Sequence, residues 1–432
     1  MEFDYKNVLI WGYGKSGRAV ENVLKDIGVN YRIYDKKIKV NGGNYISKLS
    51  GRILKKFDLI VLSPAVSIYN KYVKLAEKLG VKIIGELEFG FWFTSADVIA
   101  VTGTNGKTTT VKLITDALKC AGYKVGCYGN IGDPLTNAYK VDLDYIVCEV
   151  SSFQLETTDA FAPYVGVLLN VDKDHIDRHK TVETYIETKK SLFKNCDNSD
   201  YVVLNMTDKN CEKISNEIVG RQVNFNCKNG FELKCGEICF NGKKEVVLNE
   251  NLINYTYSDN ILATACVLKS IGLNLDLLNK IPINESCVPH RLEKFLEYNG
   301  VSYYDDSKAT NPHATLKAVN TIKGNIVLLL GGRNKDFNFN ELISNLPNNV
   351  TKIITFGESG KDINKICKKY NILCYRVKWL YNVTNILYNV TNFGDNVVLS
   401  PACASFDEFD GFDKRGDFFK KIVKEMTGDE QK

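Results

Sequence analysis

The sequence predicts an α/β protein of three consecutive domains on mostly parallel sheets. An N-terminal Rossmann-like domain spans 1–92, a central P-loop domain with a mostly parallel sheet 93–288, and a C-terminal Rossmann-like domain 289–432. Three observations carry this. Short apolar runs alternate with amphipathic helical patterns in three successive series, as strands and crossover helices of parallel sheets do. Two of those runs end in glycine-rich turns that open a helix, "GYGKSG" after "NVLIW" and "GTNGKTT" after "DVIAV". A length of 432 residues also exceeds what one core ordinarily fills.

In the first series "NVLIWG" is followed by a helix from Arg18, by "YRIYD" and "DLIVLSPA", and, after another helix, by "VKIIGELE". The second runs through "DVIAVTG", "KVGCYGN", "YIVCEVSS", "VGVLLNV" and "YVVLNM", then takes a strand-rich insertion over about 222–257 and a helix from Asp259. The third opens after "VPHRLE" with "VSYYDDS" and continues through "NIVLLLGG", "KIITFGE", "ILCYRV" and "NVVLSPA". Most polar clusters fall where these strands end, which is where ligands meet a parallel sheet.

Composition narrows the function. Hydrophobic residues at 44% and charged residues at 25% exclude disordered and fibrous classes. No apolar run approaches the roughly 18–20 residues of a membrane span, and the acidic start "MEFDYKNVLI" does not resemble a signal segment. A cytoplasmic protein without a membrane partner is expected. The charge of +5 comes with no Lys/Arg block, so no nucleic-acid partner is expected either. Thirteen cysteines without a C-x-x-C pair read as reduced, mostly buried thiols. The nearest metal pattern, Cys227, Cys235 and Cys239, lacks a nearby histidine.

"GTNGKTT" is a phosphate loop without its usual first glycine, since Val101 stands at that place. Gly103 and Gly106 allow close backbone approach, Lys107 can reach outer phosphates, and the Thr108 hydroxyl can ligate Mg²⁺. A glycine turn with an incidental lysine is the alternative. Glu149, ending "YIVCE" ahead of Ser151 and Ser152, is either a Mg²⁺ ligand or a solvated strand end. His175 in "DKDHIDRH" is either a ligand or a loop residue, and Lys189 lies on the next helix. Gly12, Gly14 and Gly17, with Asp35 ending the next strand, have dinucleotide-fingerprint spacing. An NAD-dependent oxidoreductase is therefore the rival class, though it leaves the second loop without a role.

With "EVSSFQLE", "DHIDRH", "PHRLE", "DDSKATNPHA", "LLLGGRNKDF" and "LSPACASFDEFDGFDKRG" in order along the chain, the sequence resembles the Mur ligase family. "GTNGKTT" is similar to that family's phosphate loop, which accounts for the absent glycine. Folylpolyglutamate synthase shares the loop but not "SSFQLE" or "SKATN". The resemblance implies ATP-dependent addition of D-glutamate to UDP-N-acetylmuramoyl-L-alanine through an acyl phosphate, with two Mg²⁺ ions, by a monomer in cell-wall peptide synthesis.

It also implies site residues. Gly103, Thr104, Asn105, Gly106, Lys107, Thr108 and Thr109 would hold ATP with Asn260, Arg291 and Asp306. Thr108, Glu149, His175 and Lys189 would hold metal, Lys189 as a carbamate formed with CO₂; the adjacent Lys190 is the alternative. Lys107, Glu149, His175, Lys189 and Lys308 form the catalytic set. Lys15, Ser16, Asp35, Lys36, Ser63, Pro64 and Asn130 would meet the UDP substrate, and Thr310, Lys335, Ser405, Phe406 and Phe412 the D-glutamate. One departure stands out: where the family pattern reads H-N-x-x-N, this chain has Asp259, Asn260 and Ala263, so Ala263 cannot hydrogen-bond adenine through its side chain.

Overall fold

In the computed structural model, which describes residues 3–37, 43–255, 258–282 and 288–428, the chain is mixed α/β with mostly parallel sheets. The first sheet holds β1 (Asn7–Trp11), β2 (Asn30–Tyr34), β3 (Leu59–Leu62) and β4 (Lys82–Gly85) in the order β2-β1-β3-β4, every pair parallel. β3 is buried throughout and β1 from Val8 onward, as expected of strands covered on both faces. Helix Lys15–Asp26 packs Val20, Val23 and Leu24 onto Val8 and Ile10. It starts three residues ahead of the expected Arg18, because the glycine turn runs directly into it at Gly14. β1 lies between β2 and β3, so strand order reverses there and a crevice opens at its carboxyl end.

The second sheet holds β5 (Asp97–Thr102), β6 (Val125–Gly129), β7 (Tyr145–Glu149), β8 (Val165–Leu168), β9 (Tyr201–Leu204) and β10 (Arg221–Gln222), all parallel in the order β10-β9-β8-β5-β7-β6. Again the strand carrying the glycine turn, β5, sits at the reversal. Helix Lys107–Cys120 covers one face with helix Ser258–Ser270, Leu113, Ile114 and Ala117 packing in one cluster with Ile261, Leu262 and Ala265. The strand-rich insertion is an antiparallel meander of β11 (Phe231–Lys234), β12 (Glu237–Phe240) and β13 (Lys243–Val247).

Both sheets belong to one compact unit, Met1–Ser286, and Cys287–Lys432 form a second. Buried carboxylates explain how the first two sheets are joined. Glu88, in helix Glu86–Trp92, accepts from Trp92 Nε1 at 2.7 Å and from the amides of Asp159, Ala160 and Phe161 at 2.8, 2.8 and 3.0 Å. Glu86 accepts from the Thr136 amide and hydroxyl, both at 2.8 Å, while burial raises its pKa. Hydrogen bonds to a charged group contribute about 1.5–3 kcal/mol each.

The second unit carries β14 (Glu293–Tyr298), β15 (Val301–Asp305), β16 (Ile326–Gly331), β17 (Val350–Phe356), β18 (Cys374–Arg376) and β19 (Asn396–Leu399), in the order β14-β15-β19-β16-β17-β18. β14 pairs antiparallel with β15 and the remaining pairs are parallel. The sequence reading began this series at "VSYYDDS" and missed β14. The signal was Asn299-Gly300, both at positive φ, a two-residue hairpin turn between the two strands.

Candidate active site

β5 delivers the chain into the phosphate loop, and Gly106 ends it in the left-handed region (φ +89°) as N-cap of helix Lys107–Cys120. A Cβ there would stand 2.7 Å from Asn260 Oδ1, so the loop and the helix bearing Asn260 touch directly. Thr110 Oγ1 also donates to Asn260 Oδ1 at 3.3 Å. Ala263, on the same helix, is fully buried in the apolar cluster. The loop is braced from the end of β8: the Asn105 amide donates to Asn170 Oδ1 at 2.8 Å, Asn170 Nδ2 donates to the Asn105 carbonyl at 3.1 Å, and the Thr104 hydroxyl donates to the Asp172 carbonyl at 3.2 Å. Thr109 is buried beneath it.

Three predicted side chains meet at the end of β7. Glu149 Oε2 accepts from the Thr108 hydroxyl at 2.8 Å and Oε1 accepts from Asn130 Nδ2 at 2.9 Å. Glu149 is 2% exposed, so it is not a solvated strand end. A buried carboxylate beside a hydroxyl is an oxygen donor set of the kind Mg²⁺ takes.

Lys107 Nζ donates to the carbonyls of Gly103 at 2.8 Å and Thr104 at 3.0 Å. Lys189 is 1% exposed. Its Nζ donates to the Gly103 carbonyl at 2.8 Å and to Thr102 Oγ1 at 3.3 Å, and lies 4.9 Å from the Tyr185 ring centroid. Burial first, and the charge of Lys107 second, push its pKa well below the usual lysine value, against the pull of Asp174 and Glu149. Lys190 faces outward and pairs with Glu187 and Glu217, which leaves Lys189 as the lysine at the loop.

His175 belongs to a neighbouring group. It adopts left-handed backbone (φ +53°) before helix Ile176–His179, its Nε2 lies 3.6 Å from Asp174 Oδ2, and its ring meets Phe153 edge-on at 4.9 Å.

At the first sheet, Asp35 Oδ2 accepts from the Tyr13 amide and Oδ1 from the Lys37 amide, each at 2.7 Å. The carboxylate thus braces the glycine turn, a task the sequence did not show. Lys15 and Lys36 are exposed and Ser16 half-buried. Ser63 and Pro64 follow β3, and the positive φ of Gly12 (+98°) brings the turn so close to them that a Cβ would stand 2.6 Å from Ser63 Cβ. Arg178, absent from the predicted set, reaches this loop: Nη1 donates to the Pro64 carbonyl at 2.8 Å and Nη2 to that of Val66 at 3.3 Å.

In the second unit, taken by itself, the other predicted residues lie near strand ends. Asp306 follows β15, fully buried, and accepts from Ser400 Oγ at 2.7 Å and the Leu292 amide at 3.2 Å, with Arg291 Nη1 at 3.9 Å. Burial lifts its pKa to about 6, with Arg291 pulling the other way. The cap of helix Pro312–Thr321 is Asn311, not Asp306. Lys308 Nζ lies 5.3 Å from the Phe412 ring centroid, and the Ser307 hydroxyl donates to the Phe412 carbonyl at 2.8 Å, so Phe412 is not simply core. Thr310 is half-buried beside Lys308.

Three loops are stitched together here. The Ala402 amide donates to the Ala309 carbonyl at 3.0 Å, and Arg333 and Ala404 exchange amide bonds at 2.9 and 3.0 Å. These bonds set the Lys335 loop beside the loop of Ser405 (2% exposed) and Phe406 (61% exposed). Arg415, also unforeseen, is buried and donates to Ser307 Oγ at 2.9 Å, the Ser307 carbonyl at 2.9 Å and the Cys403 carbonyl at 3.1 Å. Burial lowers its pKa to about 10, which leaves it charged at neutral pH.

Comparison with known proteins gives this geometry its context. Residues 101–264 match the Mur ligase middle domain and residues 290–403 the Mur ligase, glutamate ligase domain. UDP-N-acetylmuramoylalanine–D-glutamate ligase of Caldanaerobacter subterraneus subsp. tengcongensis is 36% identical over 448 residues, covering 99% of this chain and 100% of the relative. The protein of that name from Thermoanaerobacter sp. is 37% identical over 452 residues, covering 99% and 100%. Among solved structures, the MurF ligase of Thermotoga maritima in complex with ADP has a TM-score of 0.64 at 18% identity, covering 98% of this chain and 96% of its own. UDP-N-acetylmuramate-alanine ligase of the same organism has a TM-score of 0.62 at 17% identity, covering 98% and 99%. These two share the fold. From the full-length relatives and the two matched domains, the chain belongs to the Mur ligase family.

Proposed function

We propose that this chain is an ATP-dependent amide-forming ligase that joins D-glutamate to UDP-N-acetylmuramoyl-L-alanine, giving ADP and phosphate, in the synthesis of peptidoglycan precursors for cell-wall growth, shape and division. The observation that carries the reading is the phosphate loop with Thr108 bonded to Glu149 and with Lys107 and Lys189 on one carbonyl, in a chain whose full-length relatives bear that enzyme's name.

A carboxylate is a poor electrophile, so it must first be activated. Its oxygen attacks the γ-phosphorus of ATP, the bond to the β-phosphate oxygen breaks, and ADP leaves an acyl phosphate behind. The D-glutamate nitrogen then adds to the acyl carbon, and the tetrahedral intermediate expels phosphate as the nitrogen loses its proton. Such chemistry depends on positioning and on neutralising phosphate charge. Lys107 and the loop amides serve the phosphates of ATP, and Lys308 the transferred group. Asn260, Arg291 and Asp306 serve the nucleotide.

Thr108, Glu149 and His175 suit the two Mg²⁺ ions of the family, which when bound would offset phosphate charge. Burial pushes the Lys189 pKa down and so favours the neutral amine, which suits addition to CO₂: the nitrogen bonds carbon and loses one proton, and an uncharged amine becomes an anionic carbamate. Residues 1–92 serve the UDP substrate through Lys15, Ser16, Lys36, Ser63 and Pro64, with Asp35 shaping the turn and Asn130 from residues 93–288. Residues 289–432 serve D-glutamate, with Lys335 facing a carboxylate and Thr310, Ser405, Phe406 and Phe412 around it. Among the described residues no helix is long and apolar enough to cross a membrane. With small polar substrates, a cytoplasmic monomer is the form we infer.

The test is phosphate release measured with each substrate omitted in turn, and with L-glutamate in place of D-glutamate. Release is expected only with ATP, UDP-N-acetylmuramoyl-L-alanine and D-glutamate together. Release without the amino acid, or indifference to its configuration, would count against the reading.

A further inference from the structure

Arg178 is a cation placed between two segments that sequence alone does not connect. Through Nη1 and Nη2 it donates to the carbonyls of Pro64 and Val66, at 2.8 and 3.3 Å. Through Nε and Nη2 it grips the Glu156 carboxylate, with the Nε contacts at 3.0 and 3.2 Å. Its guanidinium carbon stands 4.2 Å from the Phe153 ring centroid, and the side chains of Arg178 and Glu156 are 12% and 3% exposed. A planar fork that satisfies a carboxylate on one side and two carbonyls on the other fixes their spacing in a way a point charge cannot.

What it fixes is specific. The Ser63–Val66 turn is closed by the Val66 amide donating to the Ser63 carbonyl at 2.9 Å, and Ser63 abuts Gly12 of the first glycine turn. On the far side, Phe153 touches both Arg178 and His175, and His179 Nε2 bonds Ser152 Oγ at 2.9 Å. Without the guanidinium, two carbonyls would lose these donors and the Glu156 carboxylate would keep the more distant His179 Nδ1 at 3.5 Å. The turn would then be held less firmly against Gly12, with the Ser63 amide still donating to the Trp11 carbonyl at 2.9 Å.

We propose that Arg178 is a positioning residue that holds the Ser63–Val66 turn in the geometry required by the UDP-bearing substrate, tying that subsite to the segment that carries His175. The inference rests on the proposed function, which places the UDP group at this turn.

The test is calorimetric binding to the full-length chain, with UDP-N-acetylmuramoyl-L-alanine and ATP titrated separately so that no turnover is needed. Arg178→Ala is expected to raise the Kd for the UDP substrate about tenfold or more while changing that for ATP less than about twofold. Arg178→Lys, which keeps the charge and loses the fork, is expected to fall between, and it carries the test alone if the alanine variant does not fold. In steady state the KM for the UDP substrate should rise with kcat nearly kept. UDP-substrate affinity unchanged in both variants, or an equal loss of ATP affinity, would overturn the proposal. An unaltered chain that does not bind the UDP substrate would sink the parent reading and this one together, whereas equal binding by variant and unaltered chain would sink this one alone.

Discussion

Lys107 and Lys189 donate to the same carbonyl, that of Gly103, each at 2.8 Å. In a buried site, a like charge this close disfavours the charged form of its neighbour. For the buried Lys189, burial first and the charge of Lys107 second push the pKa well below the usual lysine value. The loop thus sets a lysine of lowered pKa directly behind Lys107.

Lys107→Ala should lower kcat by about a thousandfold or more, on the scale of other phosphate-stabilising groups. The melting temperature should stay near that of the unaltered chain, because Lys107 is only partly buried. Turnover measured with coupled phosphate detection checks it, and retained activity would remove the phosphate role.

Lys189→Ala should lose most activity for a different reason, loss of the proposed carbamate. Intact-mass or crystallographic detection of a carbamate on Lys189 of the unaltered chain tests this directly. The pKa shift also has a sign. A lysine whose folded pKa lies below its unfolded value binds fewer protons when folded, so its contribution to stability should rise with pH up to about 10 and diminish in acid. Lys189→Met should flatten that part of the pH–stability curve.

Lys335→Ala should raise the KM for D-glutamate at least about tenfold while leaving that for ATP within about threefold. Steady-state kinetics with each substrate varied distinguishes the two, and equal effects would count against the assignment.

At Asp306 stability trades against the nucleotide role proposed for it. With its pKa lifted from 3.8 to about 6, the folded state holds the proton more tightly than the unfolded one, so this group's contribution falls as pH rises through that window. Asp306→Asn should therefore raise the melting temperature of the chain at pH 7.5, with the gain vanishing towards pH 4, and lower kcat/KM for ATP. Scanning fluorimetry across pH reads the first effect and kinetics the second.

Arg415→Met should destabilise the second unit by about 3–5 kcal/mol, because the carbonyls of Ser307 and Cys403 would lose buried charged donors. Denaturant unfolding measures that.

Much of this was legible before any coordinates. Apolar runs alternating with helices, and glycine turns at Gly12 and Gly106, belong to local backbone chemistry, and local chemistry leaves periodic traces in a chain. Thr108, Glu149 and Lys189 stood in motifs whose residue types suit phosphate and metal. β14 was missed although its turn, Asn299-Gly300, was in plain view, because an edge strand reading "EKFLEY" alternates too weakly to be seen without its partner.

By itself the sequence determined most of the order of strands and helices, β14 excepted, the loop that opens helix Lys107–Cys120, and the family. Tertiary structure alone decided which of Lys189 and Lys190 turns inward, that Asp35 braces the glycine turn, and that Arg178 and Arg415 each join segments far apart along the chain. Those outcomes depend on hydrogen bonds between groups 22 to 114 residues apart along the chain. Such a bond is set by the distance at which packed strands and helices bring two groups together, and it imposes no spacing on the residues between them.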